Sequence, residues 1–260
     1  MYQPLSHIHP GARIAKNVVI EPFSSIESNV VIGKGTWIGS NVTIMSGARI
    51  GKNCSIFPGS VISAVPQDLK FDGEDTTAVI GDNTTIRECV TINRGTEDRN
   101  KTVIGKDCLI MAYSHIAHDC LVGNNCIFSN NSTLAGHVTV GNHVILAGMV
   151  AVHQFCAIGN HAFVAGGSLV RKDIPPFVKA AREPLSYVGI NSVGLRRRGF
   201  DSKVITDIQS VYRTLFQKKY NNTQAVKIIE GEMKATKERD EIIQFIQNSQ
   251  RGIMKGYFQN

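Results

Sequence analysis

Four histidines, His115, His118, His137 and His153, together with Asp119 beside His118 and Gly136 beside His137, are the residues of this sequence whose types and spacing point to chemistry. Imidazole is the side chain best suited to take a proton near neutral pH. A neighbouring carboxylate can orient the ring and stabilise its charged form. A glycine lets a reacting group approach a backbone N–H that can hold a developing oxyanion. The grouping suits acyl transfer to a hydroxyl. Clustered histidines also serve as metal ligands, and spacing alone leaves that use open. We take the cluster as catalytic, with no metal and no cofactor.

Only a particular scaffold brings together side chains spread over residues 115–153. Isoleucine occupies position 8 and every sixth position through Ile62, and the phase resumes from Ile80 through Val170. Of 28 such positions only Asp68, Glu74 and Asp98 are not Ile, Leu, Val or Phe. The residue four after the anchor is nearly always small, and five of the six cysteines (Cys54, Cys108, Cys120, Cys126 and Cys156) stand there, which reads as core packing. Glycine often follows the anchor. A large and a small apolar residue in every short strand describe a coil that stacks on itself. The expected fold is therefore all-β, a parallel β-helix of hexapeptide type with three hexads per coil. Neighbouring coils lie about 4.8 Å apart, and the hexads suggest roughly nine of them. Residues 18 apart then stack, so His118 lies under Gly136, His137 over Asp119 and His153 over Ala135. The four histidines fall on one side of three successive coils.

The anchor failures mark two surface excursions, about 64–77 and about 97–102, of the kind that carry function on a rigid scaffold. Pro175 and Pro176 are expected to end strand pairing. After a linker through about Phe200, helices are expected from Asp201, from Thr223 and over about 238–248. This gives a β-helix domain, 1–190, and a small C-terminal α-helical domain, 191–260. The net charge is +7, and from Arg196 onward there are thirteen Lys/Arg against seven Asp/Glu. The basic tail therefore suits an acidic partner. It lacks the aromatic interleaving of a nucleic-acid binder, so no nucleic acid is expected. A mean hydropathy of −0.05 and no run of about 18 apolar residues exclude membrane insertion. The start MYQPLSHIHPG lacks the features of a signal peptide, so a cytoplasmic location is expected.

The motifs PQDLK (66–70), TINRGT (91–96), HIAHDC (115–120), LAGHV (134–138), AVHQFC (151–156) and GLRRRGF (194–200) occur in that order. Together they closely resemble the acyl-ACP–UDP-N-acetylglucosamine O-acyltransferases that begin lipid A synthesis. The resemblance covers nearly the whole chain. It implies a left-handed helix, a homotrimer with sites between subunits, acyl carrier protein as donor and UDP-N-acetylglucosamine as acceptor. His118 would be the general base, Asp119 its support and the Gly136 N–H the oxyanion donor. Asp68, Lys70, His115, His137, His153 and Gln154 would surround sugar, phosphates and acyl chain. Asn191, Arg197 and Arg198 would meet the nucleotide or the phosphates. Pro184 and Val193 depart from the common pattern of the nucleotide segment. A related transferase using a CoA thioester or an amine acceptor, and a noncatalytic or metal-binding scaffold, are the alternatives.

Overall fold

The computed structural model describes residues 5–218 and 220–256. Lys219 and 257–260 of the basic tail, and 1–4 of the N-terminal segment, lie outside them. The anchor isoleucines point inward, and Ile20, Ile38, Ile56, Ile86 and Ile110 have no exposed surface. Burying each side chain contributes about 1.5–3 kcal/mol. Ile26, Ile44 and Ile62 are consecutive partners on one face, as an 18-residue coil requires. The 25 short strands from His7–Ile8 to Leu169–Val170 distribute nine, eight and eight among three sheets in which they pair in parallel, a left-handed parallel β-helix.

The coil count is smaller than the hexad count suggests. Ile50 pairs with Ile80, thirty residues on, and Ile86 with Ile110, twenty-four on. The two excursions thus insert twelve and six residues while preserving phase, and the 25 strands from His7 to Val170 wind about eight coils. The small inward positions are also hydrogen-bonded. The Thr36 and Thr84 hydroxyls donate to Gly51 O and Gly105 O, each at 2.8 Å, and Cys126 Sγ lies 3.1 Å from Gly141 O. Such side chains satisfy carbonyls that face the interior at the corners. All six cysteines are free, the five at the small position buried.

Most corners turn on a residue of positive φ three after the anchor. Asn17, Asn53, Asn83, Asp107, Asn125, His143 and His161 line one edge. Asp119 (φ 59°), His137 (φ 63°) and Phe155 (φ 63°) line another. Asn, Asp and His tolerate this region better than most residues, whereas Phe at φ 63° is unusual.

The prolines do not end pairing. Sheet growth resumes beyond them, with Val178–Ala181 pairing Phe163 to Lys179, and Ser186–Ile190 and Lys255–Gly256 adding two further strands. Pro175 and Pro176 occupy a corner, where no ladder N–H is needed, and Phe177 (φ 64°) turns the chain back into the sheet. Four helices follow: α1 Ser192–Arg197, α2 Ser202–Phe216, α3 Asn222–Glu232 and α4 Lys237–Asn248. Helix α1, inside the expected linker, is too short to show helical periodicity. Asp201 caps α2 as expected. Helix α3 starts earlier than Thr223 because Asn221 and Gln224 form a capping box. Tyr212 OH donates to Pro176 O at 2.5 Å and Asn160 Nδ2 to Glu241 at 2.8 Å, tying the helices to the end of the coil. Among the described residues no helix is long and apolar enough to cross a membrane.

Candidate active site

Stacking alone places the central residues. His118 and Asp119 stand at a corner, and one coil on, His137 N–H donates to His118 O at 3.1 Å. His118 Nδ1 donates to Asp119 Oδ2 at 2.8 Å, which fixes the tautomer and leaves Nε2 as the basic nitrogen. Gly136 is why that nitrogen has room. A Cβ there would stand 2.6 Å from His118 Cε1 and 2.7 Å from Nε2. Among the described residues no carbonyl takes up the Gly136 N–H. The ring therefore sits beside an oriented carboxylate on one side and an open backbone donor on the other.

Asp119 is buried yet well supplied with donors. The Thr96 hydroxyl donates to it at 2.6 Å, the Thr96 N–H at 3.0 Å and the Arg99 N–H at 3.2 Å. Burial opposes its ionisation, but the Thr96 and His118 hydrogen bonds outweigh that and hold its carboxyl below the usual aspartate value. His118, Asp119 and His137 bring ligand-type atoms within 4.8 Å of one another. Asp119 Oδ2, however, already accepts from Thr96 and His118, and His118 Nδ1 carries the proton it donates. Those two atoms are thus committed to hydrogen bonds, while His118 Nε2 and the His137 ring nitrogens accept none from them.

The ring of His137 meets His118 edge-on, centroids 5.1 Å apart, and stacks on Phe155 at 4.6 Å. His115 lies on the adjoining sheet with Nδ1 2.7 Å from the Thr91 hydroxyl. Burial first, and then the nearby His118, hold its pKa below the ordinary histidine value. Asp68 and Lys70 come down from the first excursion, with Asp68 Oδ2 4.0 Å from His118 Nε2. They line a cavity of about 320 Å³ with Thr96, Asp98, His137 and Phe155. A larger cavity of about 750 Å³ shares His137 and Phe155 with it and reaches α4.

Other expected residues lie farther away. His153 and Gln154 are exposed on the next corner, where His153 Nδ1 donates to Gln154 O at 3.1 Å. Asn191, Arg197 and Arg198 are not with His118 at all. They belong to α1 and its caps, against a different edge of the prism. Asn191 Nδ2 donates to His161 O at 2.9 Å and Arg198 Nη2 to His143 O at 3.0 Å, while Arg197 is exposed. There His143 and His161 stack at 4.7 Å, a pair the sequence reading passed over. Thr96, Asp98, Arg99 and Phe155 were also missed as site residues. The signal for the first three was the broken anchor at 98, and that for Phe155 its place 18 residues after His137.

Comparison with known proteins identifies the family. The model described as "Udp N-acetylglucosamine O-acyltransferase; Domain 2" matches residues 173–254, and the bacterial transferase hexapeptide model matches 29–64 and 101–136. An acyl-[acyl-carrier-protein]–UDP-N-acetylglucosamine O-acyltransferase from Chlorobaculum parvum is 56% identical over 255 residues, covering 95% of this chain and 97% of its own. The Aquifex aeolicus protein of that name is 56% identical over 197 residues, 75% of this chain and 76% of its own. The crystal structure of a UDP-N-acetylglucosamine acyltransferase from Bacteroides fragilis superimposes with a TM-score of 0.97 at 47% identity, covering 98% of this chain and 100% of that one. With identity of this degree over nearly its full length, the chain belongs to the UDP-N-acetylglucosamine O-acyltransferase family.

Proposed function

We propose that this chain transfers a 3-hydroxyacyl group from acyl carrier protein to the 3-hydroxyl of UDP-N-acetylglucosamine, the first step of lipid A biosynthesis. The observation that carries the reading is the His118 ring, held by Asp119 at Nδ1 with Nε2 against Gly136. The names of the relatives supply donor and acceptor. Nε2 takes the proton of the sugar hydroxyl as its oxygen attacks the thioester carbonyl. The tetrahedral oxyanion is held by the Gly136 N–H. Its collapse breaks the C–S bond, and the imidazolium returns the proton to the departing thiolate. Asp119, kept ionised, stabilises the charged imidazole between these steps. Asp68, Lys70, His115 and His137 border the acceptor, and the larger cavity leaves room for the donor.

The active unit is a homotrimer. Asn191, Arg197 and Arg198 sit on a different edge of the prism from His118, so a nucleotide reaching both requires two subunits. In this reading His153 and Gln154 extend the site along the groove between subunits. The basic C-terminal part provides the surface for the acidic carrier protein. A water-soluble nucleotide sugar and carrier protein place the reaction in the cytoplasm.

Mass spectrometry of products from a panel of acyl-ACPs and UDP-sugars tests the proposal directly. Expected is UDP-3-O-(3-hydroxyacyl)-N-acetylglucosamine together with free carrier-protein thiol. Transfer to an amine acceptor alone, or equal use of acyl-CoA, would overturn it.

A further inference from the structure

We infer that Asp98, on the second excursion, is a positioning residue that decides which way the His137 ring faces. His137 is held on several sides, but mostly by contacts indifferent to nitrogen and carbon. Phe155 stacks on its face with an interplanar angle of 20°, and His118 meets it at 89°. These contacts fix the plane of the imidazole and leave its two flipped orientations nearly equivalent. The carboxylates distinguish them. Asp98 Oδ2 lies 3.1 Å from Nδ1, off the ring's hydrogen-bond axis, and Asp119 Oδ2 lies 3.8 Å from Nε2. Asp119 cannot set the orientation, because the Thr96 hydroxyl at 2.6 Å and His118 Nδ1 at 2.8 Å already occupy that oxygen.

Asp98 therefore breaks the degeneracy. Nδ1 is buried with no aligned hydrogen-bond partner, and among the described residues Asp98 is the carboxylate beside it. An ionised carboxylate only accepts, so it keeps a proton on Nδ1 and leaves Nε2 bare on the side of Asp119 Oδ2, 3.8 Å away. The flipped ring would set a C–H against the carboxylate. The loop is built to hold this position. Its Thr96 and Arg99 N–H groups grip Asp119 on either side of Glu97 and Asp98, and Arg99 Nη1 donates to Asp119 O at 2.8 Å. One tight segment thus supports Asp119 and aims His137.

The assignment builds on the proposed function but is tested first without turnover. Long-range ¹⁵N–¹H correlations of the histidine side chains, with His137 assigned by His137→Gln, report where the proton sits in the free protein. Expected is a proton on Nδ1 in the wild type, lost or averaged with Nε2–H in Asp98→Ala and regained in Asp98→Glu. The Asp98 side chain is 64% exposed, so the kinetic effect is modest. Asp98→Ala should lower kcat/KM about two- to fivefold, mainly through KM for UDP-N-acetylglucosamine, with no further loss in a His137→Ala background. A wild-type ring protonated only at Nε2, spectra unchanged by Asp98→Ala, or an equal loss in the His137→Ala background would overturn the assignment. An inactive protein with the expected spectra would count against the proposed function alone.

Discussion

As the proposed base, His118 relies on two contacts of opposite character, a hydrogen bond to Asp119 and bare space at Gly136. His118→Ala removes the base but little of the core. Turnover should fall roughly a hundred- to ten-thousand-fold while the melting transition stays near wild type. A folded His118→Ala protein keeping more than about a tenth of wild-type turnover would move the base to His137. Gly136→Ala probes the other contact. Its methyl group cannot occupy a site 2.7 Å from Nε2 without displacing the ring. The expected result is a loss in kcat without a matching loss in folding, read from steady-state kinetics beside thermal melts.

At the scale of elements, coil spacing governs what can be changed. Gly105, Gly123 and Gly141 follow successive anchors in one sheet. A Cβ at Gly123 would come within 2.7 Å of the Gly141 carbonyl carbon. Gly123→Ala should therefore destabilise more than the roughly 0.5 kcal/mol that an ordinary surface substitution costs, measured by denaturant unfolding. The edge stack makes a second prediction. His161 lies between His143 and Phe177, with Phe200 edge-on at 5.1 Å. Burial first, then His143 and Arg198, depress its pKa from 6.5 to about 4. A histidine kept neutral on folding contributes its full stability above about 6.5, and that contribution falls away as the pH drops toward 4 while the unfolded chain takes up the proton. Melting temperature should decline over this window, and His161→Phe, which keeps the stack, should flatten the decline.

For the whole molecule, the separation of His118 from Arg198 gives the sharpest test of assembly. His118→Ala and Arg198→Ala subunits, each inactive alone, should regain part of their activity when unfolded and refolded together, because some mixed interfaces then carry both intact residues. No recovery, with mixed trimers verified by native mass spectrometry, would place both residues in one subunit's site. The tail makes an independent claim. With thirteen basic against seven acidic residues from Arg196 onward, the apparent KM for acyl-ACP should rise with salt as screening shortens the range of attraction.

The sequence by itself determined the scaffold and its phase. A six-residue repeat leaves one way to bury Ile26, Ile44 and Ile62, and the same arithmetic put His118 against Gly136, because stacking in a β-helix is a property of spacing. Spacing could not say how an excursion folds back. That Thr96 and Arg99 close on Asp119, and that Asp98 meets His137, depends on a loop whose path is set by contacts rather than period. Nor could it show that the chain rejoins a sheet after Pro176, since prolines exclude a ladder position but not a corner. The remoteness of Arg198 from His118 was hidden for a related reason. Helix α1 docks against an edge chosen by packing between distant segments, and only the tertiary structure decided which edge that was.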